Sequence, residues 1–428
     1  MEQSRPFGIW TATAVVVGTM IGAGIFVLPA ALAPYGTTGT VSWIIAGAGA
    51  ITIALVISAF AASRPDEPST LAICGDILGL MPARLIAWAY WTSVWTSMSI
   101  VAITGAAYLL HLFPAAPQGT WANAILATAI IAIVSAANLR GAGTAGNLQV
   151  VTTLLKVIPL AVVIGVAAWL GTSSPQTFSA THVPSFSLAL LTPTLAITFY
   201  AMVGFETAGL VAERVRDPAR NVARATVIGV LAVLAIYWVV STTIVYAVPT
   251  TELQHSNAPI ADFVAKFVGT GAGDAVALFA AISAIGCLNG MVLVTGEIPL
   301  GLARDGQIPG WMAPTNSRDV ADRPLLLGSI LSIALILGSV TGLGERVLDF
   351  MLRLTNASAI VFYGGICIAA IAARSKPVHA FIGLGFCVWM LYGTGWQAGG
   401  LGMLLMAVAV PLHFLIGGRT TARGTAPA

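Results

Sequence analysis

The sequence predicts an all-α polytopic membrane protein with about twelve transmembrane helices, and three observations predict it. Of its 428 residues, 57% are hydrophobic and 8% charged, more apolar surface than a soluble domain of that length can bury. Apolar runs separated by polar or Pro/Gly punctuation recur twelve times, at lengths near the roughly 20 residues that cross a bilayer. The basic residues gather on alternate loops, which sets an orientation.

The runs can be taken in order. Span 1, about 9–33, follows MEQSRPFGIW with no A-x-A cleavage site and is read as retained, not as a signal peptide. Its middle is Gly18-Thr-Met-Ile-Gly-Ala-Gly-Ile-Phe-Val-Leu-Pro29. Gly22 and Gly24 weaken a helix at mid-membrane, and backbone groups freed there need protein, water or a ligand as partners. Two readings stand: close packing of small residues, or the broken helix of a transporter's substrate site. Spans 2 to 5 follow at about 39–62, 84–112, 121–138 and 148–171. Span 3 sets Trp88, Tyr90, Trp91 and Trp95 among Thr92, Ser93, Thr96, Ser97 and Ser99. The aromatics read as packing or interfacial anchors, and the hydroxyl face as a hydrated path or as interhelical hydrogen bonds. Lys156 of span 5 lies about two turns deep; it either snorkels to the inner face or serves function in the core.

Span 6, about 188–212, carries Thr198-Phe-Tyr-Ala-Met-Val-Gly204-Phe-Glu206, again a glycine in an apolar run, with a carboxylate just after it. A carboxylate at that depth is costly unless paired, hydrated or protonated. It suits proton coupling, or it accepts hydrogen bonds from freed amides. Spans 7 to 10 lie at about 225–248, 273–303, 324–342 and 346–373, and spans 11 and 12 at about 378–394 and 398–417. Spans 3, 8 and 10 are long enough to tilt or to extend beyond the hydrocarbon. Glu297 of span 8 reads as structural, and Asp349 and Arg353 of span 10, spaced i,i+4, as a local pair.

With the N-terminus cytoplasmic, the inner side collects Arg5, Arg64, Arg84, Arg140, Arg214, Arg216, Arg220, Arg224, Arg304, Arg318, Arg323, Arg374, Lys376, Arg419 and Arg423, against Lys266 and Arg346 outside. Both termini are predicted inside, in the cytoplasmic (inner) membrane. The densest basic loop, 213–224, reads as topological, meeting lipid headgroups and not nucleic acid. Spans 1–5 (about 9–171) and 6–10 (about 188–373) superpose as two halves. Five is odd, so the second is inverted; spans 11 and 12 are additional, and residues 1–428 form one domain. Spans 1 and 6 then occupy equivalent positions, and paired interruptions there point to a binding site. Cys74, Cys287, Cys367 and Cys387 lack CxxC spacing, and the five histidines show no HExxH or paired spacing, so no metal site, cofactor or catalytic residue is predicted.

Gly18–Pro29 resembles the span-1 signature of the amino acid–polyamine–organocation superfamily, and Phe199–Glu206 is similar to its span-6 signature. Arg216-Asp-Pro-Ala-Arg-Asn-Val222 and Ala303-Arg-Asp-Gly-Gln-Ile-Pro309 resemble its cytoplasmic loop motifs. Within it, basic amino acid/polyamine antiporters of the arginine/agmatine type look nearest. The resemblance implies a leucine-transporter-like 5+5 inverted repeat with helices 1 and 6 broken, often dimeric. It implies a substrate carboxylate on the amides of Ala23 and Gly24, an ammonium on the carbonyls of Met20, Tyr200 and Val203, and Tyr200 as an aromatic gate. It assigns Glu206 and Lys156 to proton coupling, the lysine standing where related transporters hold sodium.

The departures are local. Thr19 and Met98 stand where the arginine exchanger has amide side chains, and Met291 where it has an aromatic. Ser93 and Asn356 remain polar candidates for the distal pocket, and the loop 64–70 lacks the usual Pro-x-x-Gly-Gly. The expected function is amino acid transport by alternating access, as an exchanger or proton-coupled permease, with basic amino acid/amine antiport as one form. The alternatives are a neutral amino acid permease or exporter, and a non-transporting sensor.

Overall fold

The computed structural model describes residues 8–22, 24–64, 70–141, 143–180, 183–206, 215–304, 308–342 and 347–411. It is helical, with no β-strand among the described residues. In chain order the helices are α1 (Ile9–Met20), α2 (Gly24–Leu32), α3 (Gly36–Ala62), α4 (Thr70–Leu78), α5 (Leu80–Leu112), α6 (Thr120–Asn138), α7 (Gly143–Ser173), α8 (Gln176–Ala180) and α9 (Leu188–Met202). They continue as α10 (Pro218–Ala247), α11 (Thr250–Leu253), α12 (Pro259–Phe267), α13 (Thr270–Arg304), α14 (Asp322–Gly342), α15 (Val347–Ala372), α16 (Pro377–Gly393) and α17 (Gly395–Ala407).

Among the described residues, eight helical segments are long and apolar enough to cross a membrane, or nine if the pair α16–α17, bent by 116°, is one broken span. The difference from twelve runs has a physical origin. The predicted spans 1 and 6 stop short as α1 and α9, 12 and 15 residues long. The run Gly24–Ala62 counts as a single 39-residue segment, yet a straight helix of that length would reach about 58 Å, nearly twice a bilayer's hydrocarbon. The 3-10 turn Ala33–Tyr35 divides it.

α5 packs against α13 and α15, while α1 and α3 pack against α10. Apolar side chains fill the seams between helices: Trp43 of α3 meets Tyr237 of α10 edge-on at 5.6 Å, and Phe205, just past α9, stacks on Tyr363 of α15 at 4.9 Å between ring centroids. Part of the hydroxyl face of α5 binds other helices. Ser99 donates to the Ser332 carbonyl (3.0 Å) and Ser332 donates back to the Trp95 carbonyl (2.7 Å), joining α5 to α14. Thr96 and Thr104 instead donate to carbonyls of their own helix.

At the C-terminal end of α5, the Tyr108 hydroxyl donates to the Phe26 carbonyl of α2 (2.8 Å) and accepts from the Ile260 amide of α12 (3.3 Å). One turn on, His111 faces Asp262 at 3.4 Å and Asp274 at 3.7 Å. A cavity of about 480 Å3 opens beside them, lined by Val27, Thr104, His111, Asn123 and Asp262 among others. The Asp349–Arg353 pair forms as the spacing predicts, at 3.0 Å. Arg353 also donates to the Gly393 carbonyl (3.0 Å) and the Tyr35 hydroxyl (3.2 Å), tying α15 to α16 and to the turn after α2.

Candidate functional site

The site is built where two helices stop. α1 ends at Met20, and Ile21 leaves helical geometry with φ −72° and ψ 80°. A helix C-terminus leaves its last carbonyls without intrahelical donors, and inside a membrane they must be satisfied from elsewhere. Donors reach three of them, the carbonyls of Val17, Gly18 and Met20. The Ile21 amide takes the Val17 carbonyl (2.9 Å), and Lys156 Nζ donates to the Gly18 carbonyl (3.2 Å). The Met20 carbonyl accepts from the Gly22 amide (2.7 Å) and the Tyr237 hydroxyl (2.8 Å). Lys156 is 2% exposed, so it does not snorkel: its ammonium sits at the negative end of α1, where a cation is electrostatically favoured.

α9 ends in the same way. Val203 turns extended (φ −60°, ψ 142°), with its amide on the Tyr200 carbonyl at 3.2 Å. Gly204 has φ +114°, and a Cβ there would lie 3.2–3.3 Å from the Thr19 carbonyl oxygen and the Met20 backbone. Only glycine meets both conditions without strain. Its amide donates to Glu206 Oε2 (3.0 Å), which also accepts the Tyr363 hydroxyl (2.7 Å). Glu206 thus holds a freed amide of the broken helix, the structural role that the sequence left open beside proton coupling. Thr19 joins the breaks: its hydroxyl lies 2.9 Å from the Val15 and Val16 carbonyls and 3.2 Å from the Gly204 carbonyl.

α2 begins at Gly24, directly under the ring of Tyr200; a Cβ on Gly24 would stand 3.0 Å from Tyr200 Cε1. The fold therefore brings Thr19, Met20, Gly24, Tyr200, Val203, Glu206 and Lys156 to one place. Ala23 lies outside the described residues. Two of the three carbonyls proposed for an ammonium already accept from protein donors; a carbonyl oxygen has two lone pairs, so Tyr200, with one donor, can take another, whereas both of Met20's are occupied.

The distal candidates are arranged differently. Ser93 donates to the Tyr90 carbonyl of its own helix (2.7 Å). Asn356 Nδ2 donates to the Ala196 carbonyl (2.9 Å), joining α15 to α9. Met291 is half-buried on α13, and its carbonyl accepts from Thr295, whose hydroxyl also lies 3.2 Å from the Met98 sulfur. Four residues near these groups were not singled out from sequence: Tyr237, Tyr363, Cys287, whose sulfur would sit 3.6 Å from a Cβ on Gly22, and Thr355, whose buried hydroxyl has no partner among the described residues. A hydroxyl in an apolar run was the available signal for three of them.

No group of three or more His, Cys, Asp or Glu among the described residues could hold a metal ion. The site instead offers a helix N-terminus, at which anions are stabilised, beside unwound carbonyls that suit a cation, the two ends of an amino acid.

Comparison with known proteins agrees with this chemistry. Two relatives named "Putative arginine/ornithine antiporter" come from Bacillus subtilis (strain 168) and Escherichia coli (strain K12). The first is 29% identical over 397 residues, covering 85% of this chain and 82% of the relative. The second is 28% identical over 416 residues, covering 91% and 88%. A "Cadaverine/lysine antiporter" of Escherichia coli (strain K12) is 25% identical over 401 residues, covering 90% and 87%. A sequence model of the family described as amino acid permease matches residues 7–424. With nearly its whole length matched, and its helices broken where an amino acid's charged ends could be held, the chain belongs to the amino acid permease family, within the amino acid–polyamine–organocation superfamily, as a multi-pass membrane transporter.

Proposed function

We propose that this transporter exchanges basic amino acids or their amines across the cytoplasmic membrane by alternating access, with Glu206 and Lys156 coupling the cycle to protons. The observation that carries the proposal is the pair of facing helix breaks, bridged by Thr19 and Gly204. The α2 N-terminus at Gly24, with the neighbouring Ala23, would receive the carboxylate. Backbone oxygens at Met20, Tyr200 and Val203 would receive the ammonium, and Tyr200 would cover the ligand. Ser93, Met291 and Asn356 would border the side-chain end. A ligand that binds one access state more tightly shifts the population toward it, and the two breaks give the helices places to bend. The names of the relatives support the basic class and the exchange mode.

The same reading takes residues 1–428 as one domain of twelve spans, counting α1 with α2 as span 1 and completing span 6 beyond α9. The spans form an inverted pair, about 9–171 and 188–373, with two further helices at about 378–417. The matched breaks support the inversion, and the basic loops support cytoplasmic termini. A homodimer in the lipid bilayer is the expected assembly, with no enzymatic activity.

Met98 and Met291, near Thr295, favour a second reading, a neutral amino acid permease or exporter, because thioethers offer a guanidinium no strong acceptor. Uptake into proteoliposomes, competed with arginine, lysine, agmatine, leucine and alanine, separates the two. Arginine, lysine or agmatine as the strongest competitors supports exchange of basic substrates, and leucine or alanine supports the neutral permease. Binding without counterflow would turn the reading into a sensor, and competition by none of them would overturn the substrate class.

A further inference from the structure

At the C-terminal end of α5 one imidazole faces two carboxylates on two other elements. His111, in the last turn of α5, has Nδ1 3.4 Å from Oδ1 of Asp262, in the first turn of α12. Its Nε2 lies 3.7 Å from Oδ1 of Asp274, near the start of α13. Both ring nitrogens are therefore turned toward acceptors, at ion-pair distances. A neutral imidazole carries one N–H and one lone pair in either tautomer, so it opposes a lone pair to one of the carboxylates. The imidazolium presents a proton to both. Ser256 donates to Oδ2 of Asp262, which leaves Oδ1 to the ring.

Histidine is the side chain whose charge ordinarily changes between pH 5 and 8. His111 keeps 22% of its side chain exposed and lines the cavity of about 480 Å3, so protons from the medium reach it. The other charged groups and histidines at this end, among the described residues, have partners of their own. Lys266, one turn along α12 from Asp262, pairs with Glu252 at 2.7 Å, and Arg353 pairs with Asp349. His255 lines the same cavity and is hydrogen-bonded to Gln254. His182, Glu345 and Arg346 lie outside the described residues. The imidazolium is thus the cation that the geometry offers to Asp262 and Asp274.

We propose that His111 is a proton-operated latch: when protonated it fastens α12 to α5 and α13, and it slows exchange when the outer medium is acidic. α12 packs against α2 as well as α13, and α2 is the half-helix that begins at Gly24. A contact that needs a proton and exists in one arrangement of these helices shifts the population toward that arrangement as the proton binds. The effect on exchange rests on the transport reading, in which this end of α5 faces outward; the latch itself does not. The latch is also separate from Glu206 and Lys156, which lie at the helix breaks.

The test uses the full-length protein. Exchange is followed in right-side-out membrane vesicles with arginine on both faces and a buffered interior, while the outer medium is taken from about pH 8 to about pH 5.5, across the range of histidine. The wild-type rate divided by that of His111→Gln at the same pH should drop about threefold, the worth of one to two partly exposed ion pairs. The ratio cancels any response that the variant shares through Glu206 or Lys156. His111→Lys, a permanent cation, should run slower than His111→Gln at both ends of the range. Leucine serves as the probe if it, and not arginine, is carried. Purified wild-type protein should melt above His111→Gln at the acid end and level with it at the alkaline end, because the contact is present with the proton bound and lost as the pH rises. Asp274→Asn removes one partner and serves if His111→Gln does not fold. A melting gap that does not change with pH overturns the latch. A pH-dependent gap with a constant rate ratio overturns its hold on exchange. Absence of flux for either probe in the wild type would defeat the transport reading instead, and the melting gap would still decide the latch.

Discussion

Gly24 is the position where substrate binding should be most sensitive to a single added atom. A Cβ there would stand 3.0 Å from Tyr200 Cε1 and 3.5 Å from Cδ1. The ring would have to yield to admit it. At Gly22, two residues earlier, a Cβ would meet its nearest neighbours, Cys287 Sγ and the Met20 carbonyl, at an ordinary 3.6 and 3.9 Å. The two glycines therefore form an internal control. Gly22→Ala should be tolerated, and Gly24→Ala should weaken binding a few-fold by displacing the ring. Gly24→Leu should fill the approach to the first amides of α2. Losing one hydrogen bond to a charged carboxylate costs about 1.5–3 kcal/mol, or roughly 10- to 150-fold in Kd. Displacement of labelled arginine from purified protein measures it, with the melting temperature confirming that each variant is folded. Wild-type affinity in Gly24→Leu, or equal damage from Gly22→Ala, would refute the proposed cradle.

Three further outcomes follow from the same geometry. Lys156→Met removes the donor to the buried Gly18 carbonyl and should cost about 1–3 kcal/mol, read as a lower melting temperature; an unchanged melt would strip that bond of a stabilising role. Gly204→Ala forces a side chain onto φ +114° against the Met20 backbone, at a cost on the order of 1–3 kcal/mol; a variant as stable as wild type would contradict the close approach. Burial pushes the Cys74 thiol of α4 up to about 12. Because the shift is upward, the reactive thiolate is scarce at pH 8, and maleimide should label Cys74 slowly until denaturant is added. Labelling of the folded protein at the rate of a free thiol would contradict that burial.

The sequence made the breaks legible because they are chemical exceptions in a monotonous background. Gly22, Gly24, Gly204, Lys156 and Glu206 interrupt apolar runs, and each lies at or beside the junction of the broken helices. Their partners were much less visible. Tyr237 and Tyr363 supply hydroxyls to Met20 and Glu206 from distant helices, and an isolated tyrosine in an apolar helix reads equally well as packing. Periodicity could not resolve faces, since the lipid side of such a helix is as apolar as its protein side. The neighbours Thr355 and Asn356 show what that costs. Successive helical residues point about 100° apart; the Asn356 amide bonds to the Ala196 carbonyl, whereas the Thr355 hydroxyl is left without a partner among the described residues. A one-residue choice on α15 separates a clamp between helices from a free polar group.

The Tyr108 hydroxyl gives one surface element leverage over the buried one. It accepts from the first turn of α12 and donates to the Phe26 carbonyl, two residues beyond the start of α2. α12 belongs to a connection between spans, within reach of large molecules that never enter the lipid. An antibody fragment gripping the Lys266 end of α12 would therefore hold α2, against which α12 also packs directly, slowing the cycle without competing for the substrate. Its inhibition would be insensitive to substrate concentration, and Tyr108→Phe would weaken it.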